Sequence, residues 1–333
     1  MGNKKDKRTI TTKKRNALVL FRFPNKSKIN MIQGFAEAKP NFNKVQNAFV
    51  LRSFDSNKSY VITQANSNPD LTQLPKNKKT STSKSSFLKY VNAIKAAIKK
   101  SEFEKVVAAK GVCISKPLYY DALSHFQQAL KYKEAFVCLV FIENELCWLC
   151  ATPELLLKTT ANYIETFSLA GTVKEKTNFT NKEIIEQSIV TKDILEKLEK
   201  SSELKKPTVS SKIITNGNLK HLLAEIKAKK KRKVKWQKIA DILHPTPATA
   251  GYPVDKALSF IAEKEKLERD FYSGYVGEVK NNNAKLFVNL RCVEITSKNL
   301  FFYGGCGITA GSDPEKEWLE TEHKIDILRE LIS

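Results

Sequence analysis

Apolar positions along the chain follow two different periods, and each period predicts one type of element. Phe87, Val91, Ile94 and Ile98 recur every three to four residues. This spacing places them on one helix face and predicts a helix over 87–100. The same periodicity predicts further helices over 121–131, 181–198 and 254–267.

Short continuous apolar runs predict strands. The run 135–151 is interrupted at Glu143-Asn144 and predicts a β-hairpin. Further strand-like runs lie at 17–21, 49–51, 60–62, 101–112, 153–157, 163–169, 275–279, 284–294 and 300–303. The segment 204–226 has no clear period. Strand pairs mixed with long helices are typical of an α+β fold built on antiparallel sheets.

A polar segment interrupts this pattern early in the chain. Residues 66–86 contain two prolines and a cluster of Ser, Thr and Lys, a composition typical of linkers and flexible loops. We therefore expect residues 1–86 to form a variable N-terminal portion with short strands. Residues 87–333 would form the main domain of the same fold.

The composition is that of a globular protein. The chain has 333 residues, 41% of them apolar, and its apolar runs are far shorter than the roughly 20 residues of a membrane-spanning helix. Residues 1–15 are basic but precede no long apolar segment, unlike a secretory signal. We expect a cytoplasmic protein with no membrane partner.

The positive net charge suggests a second possible class of function. Lys and Arg outnumber Asp and Glu by 57 to 35, which gives a formal charge of +22 and makes nucleic-acid binding an alternative. The basic clusters at 4–15, 76–84 and 227–238 do not interleave aromatic residues as a single-strand binding surface does. A solvated basic surface explains them better, so we expect no nucleic-acid partner. The positive field would attract a small anionic substrate.

The six cysteines lie mostly in apolar, strand-like runs, where reduced cysteines behave as small hydrophobic residues. Cys147 and Cys150 have the C-x-x-C spacing of some metal and redox sites. In an alternating strand, however, positions three apart face opposite sides of the sheet. We expect neither disulfides nor a metal site there.

A glycine-rich stretch and the helix after it carry the first candidate chemistry. Residues 304–308 (GGCGI) follow an apolar run and predict a turn that opens a helix at Asp313-Pro314. Glu317 and Glu320 are one helical turn apart, and Lys324 follows on the same face. Backbone N–H groups beside carboxylates would hold an anion and a metal together. The alternative is a solvated helix with one ion pair.

Five segments in this order resemble the chorismate-utilising enzymes, the family of isochorismate, salicylate, anthranilate and aminodeoxychorismate synthases. They are 105–110 (KVVAAK), 153–157 (PELLL), 169–172 (LAGT), 243–248 (LHPTPA), and the stretch from 271–274 (FYSG) through Leu290-Arg291 to Lys324. The resemblance spans roughly residues 88–330. It implies large antiparallel sheets packed as a central sandwich with helices outside. The first and fourth segments look most like isochorismate synthases of the menaquinone and siderophore pathways.

The resemblance implies Mg²⁺ as the cofactor, bridging a ring carboxylate of chorismate to protein carboxylates. Glu186 and Glu320 would be direct ligands, with Glu183 and Glu317 behind them through water. The spacing agrees, because each pair is i,i+3 on its own helix, and two facing helices would bring four carboxylates to one cation. Without a cation these acids would repel one another. A solvated helix face is the alternative for the first pair.

The resemblance also implies an acid–base pair. Isomerisation of chorismate adds water at ring C2 and expels the C4 hydroxyl. Lys105 would be the base that activates the water, and Glu154 the acid that protonates the leaving hydroxyl. Both roles need pKa values near neutrality, and both residues lie beside apolar runs that would bury them. Without the resemblance, a surface lysine is the simpler interpretation of Lys105.

Further residues would bind the substrate. The resemblance assigns this role to Gly171, Thr172, His244, Tyr272, Arg291, Gly305, Gly307 and Lys324. The arginine and the lysine would hold carboxylates, and Gly305 and Gly307 would offer backbone N–H donors. His244 would line the ring site, although a histidine framed by prolines is often only a hydrogen-bond partner that fixes its loop.

Four positions depart from the family pattern. Gln187 replaces a His, Lys110 replaces an Arg, Val173 begins a Val-Lys pair in place of Arg-Pro, and Tyr275 replaces a Pro. None of these changes removes the base, the acid or the metal ligands. Ala170 leaves room for water where aminodeoxychorismate synthases usually place an attacking lysine, which argues against that branch.

These features predict a monomeric, Mg²⁺-dependent isochorismate synthase whose residues 87–333 form the chorismate-binding catalytic domain. Menaquinone biosynthesis is the expected pathway, with a siderophore pathway left open. The alternative within the family is a salicylate synthase, which also eliminates pyruvate. The alternative outside enzymes is a basic nucleic-acid-binding protein.

Overall fold

Antiparallel strands make up most of the structure. The computed structural model describes residues 14–174, 178–216 and 219–331. The strands in these ranges are β1 (Arg15–Arg22), β2 (Asn30–Ala38), β3 (Asn47–Arg52), β4 (Ser59–Gln64), β5 (Lys105–Ser115), β6 (Phe136–Ile142), β7 (Leu146–Thr152), β8 (Leu155–Thr159), β9 (Tyr163–Lys174), β10 (Thr208–Asn216), β11 (Leu219–Lys229), β12 (Gly251–Tyr252), β13 (Tyr275–Lys280), β14 (Asn283–Val288), β15 (Cys292–Ile295) and β16 (Asn299–Ile308).

The strands form a single ladder of hydrogen-bonded neighbours. Their order is β10-β11-β9-β8-β14-β13-β3-β4-β2-β1-β6-β7-β15-β16-β5-β12. The predicted strands are present, and the predicted 135–151 hairpin is β6–β7 with the register Cys138↔Cys150. Three parts were not predicted: β2, the two-residue β12, and the hairpin β10–β11 in the segment without a clear period. Strands β1 to β4 share the sheet with the later strands, while the domain boundary after residue 86 stays a prediction.

The sheet folds over into two layers that face each other. Phe136 of β6 stacks on Phe287 of β14, with ring centroids 4.3 Å apart and planes 2° apart. Phe49 of β3 also stacks on Phe136, at 6.5 Å. Strands β6 and β14 are six places apart in the ladder, so these rings meet only because the sheet curls back. The large apolar cluster between the layers is the core of the predicted sandwich, which is confirmed.

Helices cover the outside of the sandwich. They are α1 (Lys84–Lys99), α2 (Ala122–Ala129), α3 (Asn181–Glu199), α4 (Trp236–Leu243), α5 (Val254–Lys264) and α6 (Pro314–Arg329). Helix α3 packs on β9 and α6 packs on β16. Helix α4 was not predicted, although Trp236, Ile239 and Leu243 bury one face of it. No helix in the described ranges is both long and apolar enough to cross a membrane.

The segment between β4 and α1 has no regular structure, as predicted, but it is fixed to the sheet. Thr82 N donates to Gly111 O at 2.8 Å, and Pro75 O accepts from Ser297 N at 2.9 Å. We call residues 66–83 the strap. It lies against β5 and β15–β16 and is more than a spacer between two portions of the chain.

The cysteine predictions agree with the structure. All six cysteines are free thiols. Cys150 lies in the core between the two layers, whereas Cys147 packs in a different cluster on the other face of β7, next to α2. The C-x-x-C pair therefore cannot share a metal.

Candidate active site

Strands β5 and β16 form the floor of the candidate site. They pair in register from Asn299↔Ser115 to Ile308↔Val106, and the short β12 covers Lys105 and Val106 on the other side of β5. The predicted glycine-rich turn is therefore wrong, because Gly304 to Gly307 lie inside β16. Helix α6 begins after a further turn, where the Asp313 side chain accepts from Lys316 N at 3.0 Å.

Gly304 explains why glycines occupy the end of this strand. A Cβ on Gly304 would lie 2.9 Å from both Ile325 Cγ1 and Thr321 O of α6. The helix therefore packs directly on the strand backbone. Residue 304 faces α6, and residues 305 and 307 face the other side of the strand, as alternation along a strand requires.

Lys105 is fully buried at the first residue of β5. Its Nζ donates to Glu186 Oε1 of α3 at 2.7 Å. Gly307 makes room for this pair, since a Cβ there would lie 2.6 Å from Glu186 Oε1 and 2.7 Å from Lys105 Cε. The predicted base and one predicted metal ligand thus meet on the glycine face of β16.

Glu154 precedes β8 and is 4% exposed. Burial raises the pKa of its carboxyl group to about 7, and the positive charges of Lys105 and Lys324 oppose that rise. Both lysines therefore lie within electrostatic reach of Glu154. A carboxyl group with this pKa can give up a proton near neutral pH, which is what the acid role requires.

Lys324 of α6 contacts β16 at Gly305, two residues before Gly307. Its Nζ donates to Gly305 O at 2.9 Å and to Glu320 Oε1 at 2.7 Å. Burial acts to lower the pKa of Lys324, but Glu320, Cys306 and Tyr272 together more than offset burial and the pKa is raised. Lys324 therefore stays positively charged beside the glycine face.

The backbone of the glycine face points its N–H groups away from β5. Val107 N donates to Ala250 O at 2.9 Å, and Ala109 N donates to a carboxylate beyond α5 at 3.1 Å. Directly opposed residues in an antiparallel ladder exchange both hydrogen bonds or neither. The pairs Gly307↔Val107 and Gly305↔Ala109 therefore exchange no hydrogen bonds, and the N–H groups of both glycines point away from β5. This orientation agrees with the predicted role of the glycine N–H groups as anion donors.

Tyr272 closes the same face from the loop before β13. A Cβ on Gly305 would lie 2.7 Å from Tyr272 Oη, and the ring stacks on Tyr303 with centroids 5.4 Å apart. Burial raises the pKa of Tyr272 to about 12. The hydroxyl is therefore protonated at neutral pH and can donate to a substrate oxygen.

Two of the four predicted metal ligands border the glycine face. Glu186 lies beside Gly307 and Glu320 beside Lys324, which binds Gly305. Positions 305 and 307 are about 7 Å apart along a strand. Each carboxylate lies 2.7 Å from a lysine Nζ. The described residues contain no cluster of three side chains already arranged around a metal.

The other two acids have different neighbours. Glu183 accepts from the backbone N of Thr180 at 2.8 Å, which caps the start of α3. Glu317 is 2% exposed and lies beside Cys306. Burial and then the nearby Glu317 and Glu320 raise the pKa of that thiol. Their roles behind a metal stay predictions.

Several predicted substrate residues lie apart from these contacts. His244 Nε2 faces Phe54 O at 3.1 Å and Ser53 O at 3.3 Å. Burial lowers the pKa of His244 to about 4, so the ring is neutral and fixes its loop. Arg291 has a left-handed backbone conformation, with φ 45°. Its guanidinium interacts electrostatically with Tyr132. Their substrate roles stay predictions.

Gly171 and Thr172 fall in β9, where the backbone of Thr172 pairs with His221. The side chains at 170–174 lie outside the described residues. The assignment of both positions as substrate contacts therefore stays a prediction. So does the proposal that Ala170 leaves room for a water molecule.

The sequence did not indicate one buried ion pair that supports the site. Arg269 binds Glu265 at 2.6 Å, and both side chains are at most 3% exposed. Arg269 also donates to Val107 O at 2.7 Å and to Thr249 O at 2.8 Å. The pair thus binds backbone groups of β5 at Val107 and Ala109, where β12 no longer pairs with β5. Its i,i+4 spacing at the end of α5 looks like an ordinary surface pair in the sequence.

Comparison with known proteins agrees with this geometry. Residues 19–333 match the family described as chorismate binding enzyme. The chain belongs to this family. The resemblance found in the sequence is thereby confirmed for almost the whole chain, including part of the N-terminal portion.

Relatives of this family member include isochorismate synthases. It is 31% identical to isochorismate synthase EntC of Escherichia coli K12 over 192 residues, 54% of this chain and 49% of that protein. It is 27% identical to isochorismate synthase MenF of the same organism over 257 residues, 71% of this chain and 57% of that protein. The chain thus spans about half the length of these relatives.

Solved structures share its fold. The structure of MenF, the menaquinone-specific isochorismate synthase from Escherichia coli, has a TM-score of 0.81 at 20% identity and covers 95% of this chain and 89% of that chain. Anthranilate synthase component I from Streptococcus pneumoniae has a TM-score of 0.70 at 13% identity, covering 94% and 92%. Identities this low establish the shared α+β sandwich alone.

Proposed function

We propose that this protein is an isochorismate synthase that converts chorismate to isochorismate with Mg²⁺. The observation that supports this most is the placement of Lys105 and Glu154. Both are buried, and Lys105 lies against Gly307 within electrostatic reach of Glu154. One carries an amine and the other a carboxyl group with a pKa of about 7, the pair that addition of water and loss of hydroxide need.

In the proposed reaction, Lys105 Nζ takes a proton from water while the water oxygen bonds to ring C2. Glu154 gives its proton to the C4 oxygen as the C4–O bond breaks and water leaves. One water enters and one departs, so chorismate and isochorismate are isomers. Proton exchange with solvent then returns Lys105 and Glu154 to their starting states.

Mg²⁺ suits the donors of this site. Glu186 and Glu320 would hold it directly, with Glu183 and Glu317 behind them, because Mg²⁺ prefers carboxylate oxygens and keeps several waters. Each direct ligand lies 2.7 Å from a lysine Nζ. Mg²⁺ at Glu186 would supply the positive charge there, so that Lys105 can be the neutral amine that the base role requires. When bound, Mg²⁺ would neutralise these carboxylates together with a ring carboxylate of the substrate.

The positively charged groups around the glycine face would hold the substrate carboxylates. Lys324 stays charged, Tyr272 offers a protonated hydroxyl, and Gly305 and Gly307 offer backbone N–H groups. A dianion such as chorismate would use these donors together with the positive charge that Mg²⁺ would bring to the carboxylates.

A product assay tests the proposal. Purified protein is incubated with chorismate, with and without Mg²⁺, and the products are separated. We expect isochorismate without pyruvate, and only with Mg²⁺. Salicylate with equimolar pyruvate would favour a salicylate synthase. No turnover under either condition would reject the enzyme proposal and favour nucleic-acid binding, which a salt-dependent binding assay detects.

The pathway is the finer part of the proposal. We propose menaquinone biosynthesis, since MenF is among the relatives, and keep a siderophore pathway as the alternative. The monomeric state, the cytoplasmic location and the lack of a nucleic-acid partner stay predictions. A growth test in a strain that lacks menaquinone-specific isochorismate synthase would check the pathway.

A further inference from the structure

The strap contains a lysine whose surroundings differ from those of its neighbours. Lys79 has a side chain that is 14% exposed, whereas Lys78 beside it is exposed. Lys79 Nζ contacts Asp270, binds Glu294 at 2.8 Å and donates to Tyr303 Oη. A lysine in a polar segment would be expected to lie in solvent, so these contacts need an explanation.

The contacts of Lys79 lead to an aromatic stack. Its Nζ lies 5.1 Å from the centroid of the Tyr303 ring. The Tyr303 hydroxyl donates onward to Glu294 Oε2 at 3.1 Å. Trp148 packs against the ring with centroids 5.3 Å apart. Tyr303 is therefore fixed at its hydroxyl by Lys79 and Glu294, and at its ring by Trp148.

Tyr272 stacks on Tyr303 as well. Their ring planes are 12° apart with centroids 5.4 Å apart, so the position of one ring sets that of the other. The Tyr272 hydroxyl lies against Gly305, whose carbonyl oxygen accepts from Lys324. Three successive contacts thus connect Lys79 to the face that would receive a substrate carboxylate.

We propose that Lys79 is a positioning residue that places the Tyr272 hydroxyl, through Tyr303, for a substrate carboxylate. This inference rests on the proposed function of the same site. Lys79 itself does not touch the glycine face. It acts by holding the Tyr303 hydroxyl, which otherwise shares a buried space with the carboxylates of Asp270 and Glu294.

The surroundings of Lys79 permit a substitution that keeps the fold. Asp270 retains a second partner in Lys58, and Glu294 retains Asn77 and Tyr303 as donors. Methionine has nearly the length of lysine without its charge. Lys79→Met should therefore fold, and Lys78→Met is the matched control one residue away.

Steady-state kinetics with chorismate separate positioning from a structural role. We expect Lys79→Met to raise KM about tenfold, the effect of one misplaced hydrogen bond, with kcat within about threefold of wild type. Tyr272→Phe should raise KM by a similar factor. The double variant should show no further increase, because both changes remove the same contact. Lys78→Met should match wild type.

Near-ultraviolet circular dichroism gives a readout that does not need turnover. Lys79→Met should change the aromatic signal of the Trp148–Tyr303–Tyr272 stack, and Lys78→Met should not. An unchanged spectrum overturns the inference even if wild type converts no chorismate. With an active wild type, an unchanged KM, or KM increases that multiply in the double variant, overturns it and leaves the proposed function standing.

Discussion

Gly307→Ala is the sharpest perturbation that the structure offers. The residue lies in a regular strand, so alanine costs little in backbone conformation. Its Cβ, however, would lie 2.6 Å from Glu186 Oε1 and 2.7 Å from Lys105 Cε. Ordinary contacts begin at 3.4 Å, so each group must retreat by about 0.7–0.8 Å. Both are ends of flexible side chains and can move without unfolding the protein.

The expected effect is therefore on rate rather than on stability. A displacement of about 1 Å at a catalytic group can lower the rate about 10²-fold, so we expect kcat with chorismate to fall by about 30- to 100-fold. The melting temperature should fall by no more than about 1–2 °C, the shift that corresponds to roughly 1 kcal/mol in a chain of 333 residues.

The matched control is Gly311→Ala, four residues further on. Nothing lies within 4 Å of a Cβ at that position, so its kcat should equal that of wild type. Wild-type kcat in Gly307→Ala would refute the reasoning, since it would mean that displacing Lys105 and Glu186 leaves the reaction unaffected. A loss of rate in both variants would point to a general effect of alanine in this segment.

Two further predictions concern stability. The pKa of Glu154 is raised from 4.5 to about 7, so between these values the native state keeps a proton that the unfolded chain has lost. The free energy of unfolding should fall by about 3 kcal/mol over that pH range, and urea titrations should show this slope lost in Glu154→Gln. An equal slope in both proteins would contradict the raised pKa. Arg269→Met leaves Glu265 buried without its partner and should cost about 3–5 kcal/mol in urea unfolding; Arg269→Met/Glu265→Gln should recover part of that loss. A single variant as stable as wild type would show that the pair does not support β5.

Much of the fold could be predicted because it depends on local periodicity. The helix over 87–100 and the hairpin over 135–151 follow from apolar spacing alone, and the structure contains both. The β10–β11 hairpin could not be found in this way, because β10 lies at the sheet edge with Val209 and Ile213 exposed. Its residues therefore lack the pattern of a buried face.

For the candidate site, the sequence indicates residue types and not their geometry. Lys105 and Lys324 reach the same strand because β5 pairs with β16 and α6 packs on it, and both act electrostatically on Glu154, which precedes β8. The glycines of 304–307 were interpreted as a turn, since sequence alone does not show that glycine in a strand admits a close neighbour. Lys79 was missed because its partners lie about 200 residues away in the chain.

The proposed function depends on one step, in which Lys105 activates a water that attacks C2 of chorismate while Glu154 protonates the departing C4 oxygen. Turnover of chorismate with Mg²⁺ in ¹⁸O-labelled water, followed by mass spectrometry of the product, tests it most directly. We expect isochorismate with one ¹⁸O, carried by its C2 hydroxyl. Unlabelled isochorismate would show that the C4 hydroxyl migrates within the substrate, and would contradict the roles assigned to both residues.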